Sequence, residues 1–418
     1  MDADALYADV IDKYSRHLNP HLAKLMAFAG FGVEMEGDGC YLIDHEGRKF
    51  LDCLGGYGTF SLGHRHPKVV EAVKNQLDHL ALSGKAFFSK NSADLAEKLA
   101  EITPAGLDYS FFCNSGTEAV EASLKFAKGV TGRTKIVSTT ESFHGKTLGS
   151  LSVMGREKYR KGFEPLLPGV VFVPFGDSQA AAEAIDGTTA CMIVEPVQGE
   201  GGIIVPPAGY LNDLRTACDK HGALLIFDEV QSGLGRTGKM WGCDHDGAIP
   251  DLLTSAKALG GGVMPLGAVC GTEAIWDAIY SKNPLSHTST FGGNPLACAA
   301  GLATLQVLQE EGLVQRSHDM GVLLLEGMHS IGHKHRNWIK EVRGKGLMVG
   351  LEFAEDEVGE LVVAQLLKYG VCVAYALNNP RVLRFEPPLI ITAEQIEFAL
   401  EAVDGAIVET GELLSTLV

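Results

Sequence analysis

Tyr109-Ser110-Phe111-Phe112-Cys113-Asn114-Ser115-Gly116-Thr117-Glu118 runs from a β-rich apolar segment straight into the start of a helix. Val120, Leu124 and Ala127 then recur at helical spacing, and Gly129 is the expected closing residue. The same apolar punctuation returns at Lys135–Ser138, Val170–Val173, Ala190–Val194 and Leu224–Phe227, with helical stretches between most of these runs. From about residue 90 to 300 the chain therefore alternates strand and helix. That pattern predicts an α/β domain built on a mostly parallel sheet.

Outside this block the rhythm changes. Residues 1 to about 35 read as a helical arm, followed by a strand pair at Gly39–Asp44 and Lys49–Cys53. Helical periodicity resumes at Pro67, a residue suited to a first turn. Beyond about residue 310 come a long helix, strands at Gly346–Phe353 and Val371–Tyr375, and a closing helix, which together predict a smaller α+β domain. The expected segments are an N-terminal arm with part of the small domain over 1–60, the large α/β domain over 61–305, and the rest of the small domain over 306–418.

A chain of 418 residues is long enough for two packed regions. It is 46% hydrophobic and 21% charged, as globular proteins are. Its 50 glycines cluster between apolar runs, which predicts many tight turns between strand and helix. A formal net charge of −17 argues against a nucleic-acid partner, since phosphate binding needs a large Lys/Arg excess. Nine cysteines, odd in number and without a C-x-x-C pair, read as reduced thiols of a cytoplasmic protein. The first residues carry acids and no signal-type apolar core, and no apolar run approaches the ~18 residues of a membrane span.

Three segments hold candidate chemistry. Ser115, Gly116 and Thr117 stand at a helix start, where free N–H groups, hydroxyls and the positive dipole end can cradle one phosphate; the plainer reading is an ordinary N-cap. Asp228 ends an apolar strand, the place where α/β sheets bind ligands. A protonated pyridinium nitrogen would be one partner for it, and Arg236 another. Lys257 sits among small and apolar residues before three glycines; burial there would lower its pKa and favour the free amine of a Schiff base. A surface lysine before a glycine turn is the plainer reading.

Other motifs fail on context. Gly233–Gly238 spells G-x-G-x-x-G, but five residues separate it from the strand and no helical period follows. Gly145-Lys146-Thr147 ends like a phosphate-binding loop, yet Thr140 stands where that loop requires glycine. His64 and His66 lack the acid or cysteine neighbours of a metal site.

Taken together and in order, these segments resemble the class III aminotransferases of pyridoxal-5′-phosphate (PLP) fold type I, from about Gly37 to Thr392. Cys53–Gly58 and Phe111–Glu118 look most like the putrescine (diamine) members. The resemblance implies PLP as cofactor, with Ser115, Gly116 and Thr117 on its phosphate, and His144 and Glu195 among its neighbours. Phe143 and Val230 would flank the ring, Asp228 would keep its nitrogen protonated, and Gln231 would meet the hydroxyl side. Lys257 would carry the Schiff base and move protons. Thr290 would reach the phosphate of a neighbouring subunit, so a homodimer or a dimer of dimers is expected. Arg384 would bind the α-carboxylate of 2-oxoglutarate through its planar fork, and Glu200 would cover Arg384 when the substrate lacks that carboxylate.

Position 146 departs from many relatives acting on ornithine, acetylornithine or 4-aminobutyrate. They carry arginine here; this chain has Lys146, which cannot make the forked pair. The expected reaction is transamination of a terminal amine, putrescine first and cadaverine second, onto 2-oxoglutarate or pyruvate. An ω-amino-acid donor is the alternative.

Overall fold

Strands Thr189–Val194 and Leu252–Ser255 are buried at every position, and Leu224–Asp228 at all but its first. Continuous apolar runs of this kind belong to parallel strands covered on both faces. The computed structural model, which describes residues 2–417, places them at the centre of a seven-stranded sheet. Its order is Tyr109–Cys113, Gly267–Gly271, Leu252–Ser255, Leu224–Asp228, Thr189–Val194, Lys135–Thr139, Val170–Val173. Neighbours from Leu252–Ser255 to Val170–Val173 pair in parallel, and Gly267–Gly271 is antiparallel to both of its partners. The large sheet is thus mostly parallel, as the strand-helix alternation predicts.

The chain also forms two four-stranded sheets. Glu34–Asp38, Tyr41–Asp44 and Lys49–Asp52 form an antiparallel meander, and Val371–Cys372 adds to it in parallel beside Leu51 and Asp52. Chain segments more than 300 residues apart therefore share one sheet. The other sheet is antiparallel, in the order Ile339–Lys345, Met348–Phe353, Val382–Phe385, Ala374–Tyr375. The stretch Val371–Tyr375, expected as one strand, is split between the two sheets, so it stitches them together. Met1 and Val418, at the outer limits of the first and last expected segments, lie outside the described residues.

The helix after Tyr109–Cys113 spans Gly116–Thr131 and buries Val120, Leu124 and Ala127 as their spacing predicts. It runs past Gly129 and stops at Gly132, whose φ of +66° is the left-handed C-cap geometry. Gly129 serves helix packing instead. A Cβ there would sit 2.9 Å from the Ile279 side chain, so its smallness admits the neighbouring helix Glu273–Tyr280. The N-terminal helices Ala3–His17 and Pro20–Phe28 bury almost nothing, with Ala23 alone buried in the pair. No described helix is long and apolar enough to cross a membrane.

Candidate active site

Parallel strands deliver their C-terminal ends to one edge of the large sheet, and a cavity of about 190 Å³ opens there. Asp228, the last residue of its strand, is 5% exposed and lines this cavity. Its carboxylate lies 2.7 Å from His144 Nδ1 and accepts from Thr254 Oγ1 at 3.0 Å and from the Val230 N–H at 3.2 Å. Arg236 does not serve it: that fully buried guanidinium donates to the carbonyls of Leu347 and Pro387 and to Ser61 Oγ.

Lys257 lines the same cavity, just beyond the end of the adjacent strand Leu252–Ser255. Its φ of +44° is unusual for a residue with a side chain. Such backbone costs on the order of 1–3 kcal/mol and persists where the surrounding structure enforces it. Burial pulls the lysine pKa below its ordinary value; Glu386 and Glu200 oppose the shift, and Arg384 adds to it. Glu195 is pushed the other way: burial, then the Asp228 charge, lift its carboxyl well above the carboxylate range. One oxygen of Glu195 accepts from the Phe143 N–H at 3.2 Å, and the other has no protein partner among the described residues. His144 Nε2 is likewise buried and unpartnered.

The start of helix Gly116–Thr131 supplies Gly116 and Thr117 to the cavity wall. A Cβ on residue 116 would come within 2.8 Å of Val230, so glycine keeps the backbone close to that side chain. Thr117 Oγ1 contacts Thr147 Oγ1 at 2.8 Å and Ser150 Oγ at 2.7 Å. Ser115 caps the helix by accepting from the Glu118 N–H at 3.3 Å, so the plainer reading of this residue also holds. Phe143 and Val230 both line the cavity. Gln231 lines it too, but its amide nitrogen is committed to the Tyr57 carbonyl and to Glu386 Oε2, each at 3.1 Å, which leaves its carbonyl oxygen as the group for a ligand.

Arg384 is fully buried on strand Val382–Phe385. Its Nη1 stands 3.1 Å from Glu200 Oε1, an ion pair without the alignment of a hydrogen bond, and 3.9 Å from Glu386 Oε2. None of its three guanidinium nitrogens has a hydrogen-bond acceptor among the described residues. Its charge lies 5.0 Å from the centre of the Tyr57 ring. Tyr57 holds a left-handed φ of +59° between glycines that share this geometry.

Two of the expected residues are exposed within this chain. Thr290 is exposed and does not line the cavity, and Phe291 next to it is 57% exposed. Lys146 is exposed as well; its ammonium lies 5.9 Å from the Phe143 ring centre and 5.2 Å from that of Tyr159. Sequence reading passed over Thr254 and Glu386. The signal for each was a polar residue inside a run of apolar ones, but only the folded chain shows what they touch.

This donor set fits PLP. A pKa-depressed lysine and a fixed carboxylate line one cavity, an aromatic and a branched side chain share its wall, and a helix of 16 residues starts at its edge. Buried, unpartnered atoms of His144 and Glu195 mark places where a polar ligand completes the hydrogen bonding.

Comparison with known proteins agrees. The sequence model of the aminotransferase class-III family matches residues 31–407. An (S)-enantioselective ω-transaminase from Thermomicrobium roseum is 31% identical, with 98% of this chain and 99% of that one covered and a TM-score of 0.91. The ornithine aminotransferase of Toxoplasma gondii ME49 is 34% identical over 91% of both chains, with a TM-score of 0.87. Another structure of the Toxoplasma gondii ornithine aminotransferase, crystallised with oxidised glutathione, shows partial PLP occupancy at its active site; it is 31% identical over 98% of both chains, with a TM-score of 0.87. With its fold, its cavity and these likenesses in agreement, the chain belongs to the class III aminotransferases, enzymes that use pyridoxal phosphate.

Proposed function

We propose that this aminotransferase takes the amino group from a terminal amine, putrescine first and cadaverine second, and passes it to 2-oxoglutarate or pyruvate. The observation that carries this reading is the Arg384–Glu200 pair, 3.1 Å apart. With Glu200 against it, the buried guanidinium is shielded, so a donor without an α-carboxylate meets no unpaired charge. With Glu200 moved aside, three unbonded guanidinium nitrogens are available to grip a keto acid's carboxylate in forked geometry. Lys146 supports the diamine reading. It offers a point charge in place of a forked clamp, and its ammonium lies over two aromatic rings.

Bound PLP supplies an aldehyde to receive the amine and a ring that draws electrons from the donor carbon. Asp228, itself fixed by His144 and Thr254, would keep a proton on the ring nitrogen. Lys257 would hold the cofactor through its amine and, once the donor amine had displaced it, would be the group placed to take up and return a proton. Ser115, Gly116 and Thr117 would bind the phosphate at the helix start, and Phe143 and Val230 would hold the ring. Gln231 presents its amide oxygen to the hydroxyl side. Thr290, exposed within one chain, would reach the phosphate bound by a second copy, in a homodimer or a dimer of dimers.

The alternative donor class is an ω-amino acid such as 4-aminobutyrate, ornithine or acetylornithine. The likeness to an ornithine aminotransferase favours it. Turnover of putrescine and of 4-aminobutyrate against 2-oxoglutarate, followed by glutamate formed, separates the two. Faster putrescine turnover is expected, and faster 4-aminobutyrate turnover defeats the diamine reading.

A further inference from the structure

Arg384 is carried by one arm of a β-hairpin. Ala374–Tyr375 pairs antiparallel with Val382–Phe385, and Ala374 lies opposite Arg384 itself. The hairpin's connection turns back over Glu200. The Leu377 N–H donates to Glu200 Oε2 at 2.9 Å, and the Asn378 N–H donates to the Glu200 carbonyl at 3.0 Å. Thus the carboxylate facing Arg384 through one oxygen is held through its other oxygen by the hairpin that bears Arg384.

This connection is anchored on its far side. The Tyr159 hydroxyl donates to the Leu377 carbonyl at 2.9 Å, and the Asn378 amide donates to the Glu141 carbonyl at 2.7 Å. The peptide group between Leu377 and Asn378 is therefore gripped at both ends, its oxygen by Tyr159 and its N–H by Glu200. Asn378 is 2% exposed, so its anchor is part of the packed interior. Tyr159 is the more accessible of the two, and the Lys146 ammonium lies 5.2 Å from its ring centre.

We infer that Tyr159 is a positioning residue that latches Glu200 against Arg384 and so sets how readily the enzyme exchanges an amine for a dicarboxylic keto acid. The inference rests on the Arg384–Glu200 gate proposed above. Swinging Glu200 aside costs the Leu377 N–H bond unless the hairpin connection follows. While Tyr159 holds the Leu377 carbonyl, the connection cannot follow. Removing the hydroxyl leaves the Asn378 anchor in place but releases the Leu377 carbonyl, so the Leu377 end of the connection can move with Glu200 and opening costs less, which favours ligands that need Arg384 exposed. Ligands that bind with the gate closed are indifferent to the change.

The test uses the PLP-loaded enzyme and glutarate, an unreactive dicarboxylate, titrated by calorimetry. In Tyr159→Phe, glutarate is expected to bind roughly two- to tenfold more tightly, the span of one lost neutral hydrogen bond. The rate constant kcat/KM for the putrescine half-reaction should stay within about twofold, well inside that span. Glu200→Ala alone should also tighten glutarate, and adding Tyr159→Phe to it should then have no further effect. A merely structural tyrosine would alter both ligands together, or act equally with and without Glu200, and either result overturns the latch. If Glu200→Ala leaves glutarate affinity unchanged, the gate itself is wrong and the latch falls with it. If Glu200→Ala tightens binding while Tyr159→Phe does nothing, the latch alone is wrong.

Discussion

At the residue scale, the chemistry turns on how burial sets charge. Lys257 titrates below its ordinary value of 10.5 because its amine is desolvated. The unfolded chain then binds more protons than the folded one between the lowered pKa and 10.5. Cofactor-free protein should therefore lose stability as pH falls through this window, with the full penalty below the folded pKa and none above the unfolded one. Lys257→Met removes the penalty. Thermal melts of the cofactor-free proteins from about pH 6 to about pH 10 should show the variant above the wild type at the acid end and the gap closing toward the alkaline end. A gap that does not change with pH would show that Lys257 is not desolvated. Asp228 illustrates what a single residue leaves open. Its place at a strand end was legible as a ligand position, and Arg236 was an equally good partner on paper. The fold sends Arg236 to the carbonyls of Leu347 and Pro387 and gives Asp228 to His144 and Thr254.

Among the elements, the helix Gly116–Thr131 carries the most function for its length. Its first turn faces the cavity, and Ser115 caps it while standing in the expected phosphate cradle. Ser115→Ala should cost about 1 kcal/mol of stability, the usual worth of an N-cap, measurable by urea unfolding. It should also weaken PLP retention, read as faster loss of cofactor on dialysis. Unaltered retention with the stability loss present would leave Ser115 as a cap and nothing more. The strand-to-helix junction was readable because apolar period and capping chemistry are local properties. The helix's end was not. Gly129 and Gly132 are both glycines near the end of an apolar period; Gly132 takes the left-handed C-cap geometry, and Gly129 instead makes room for Ile279, a contact that only the folded chain shows. The segment Val371–Tyr375 went the same way: its β propensity is local, but its division between two sheets depends on strands far away in the chain.

Across the whole molecule, all nine cysteines are free and buried. Burial drives the thiols of Cys40, Cys113, Cys218 and Cys372 up to about 12, and Cys191 and Cys243 higher still. A thiol-disulfide reagent at neutral pH should find almost no fast-reacting thiol in the native protein and all nine after denaturation. A fast-reacting thiol in the native state would contradict this burial. Sequence by itself determined the α/β alternation, the mostly parallel sheet, the family and the candidates Lys257, Asp228, Glu200 and Arg384. The alternation and the sheet follow from periodicity and caps, which act over short stretches of chain; the family came from the resemblance of several motifs in order, which also implied Glu200 and Arg384. Tertiary structure alone decided that Glu386 lies between Gln231 and Arg384, that Thr254 steadies Asp228, and that one hairpin both carries Arg384 and holds Glu200. Hydrogen bonds and ion pairs form only where packing brings two groups within about 3 Å, and residues hundreds of positions apart meet only in the folded chain.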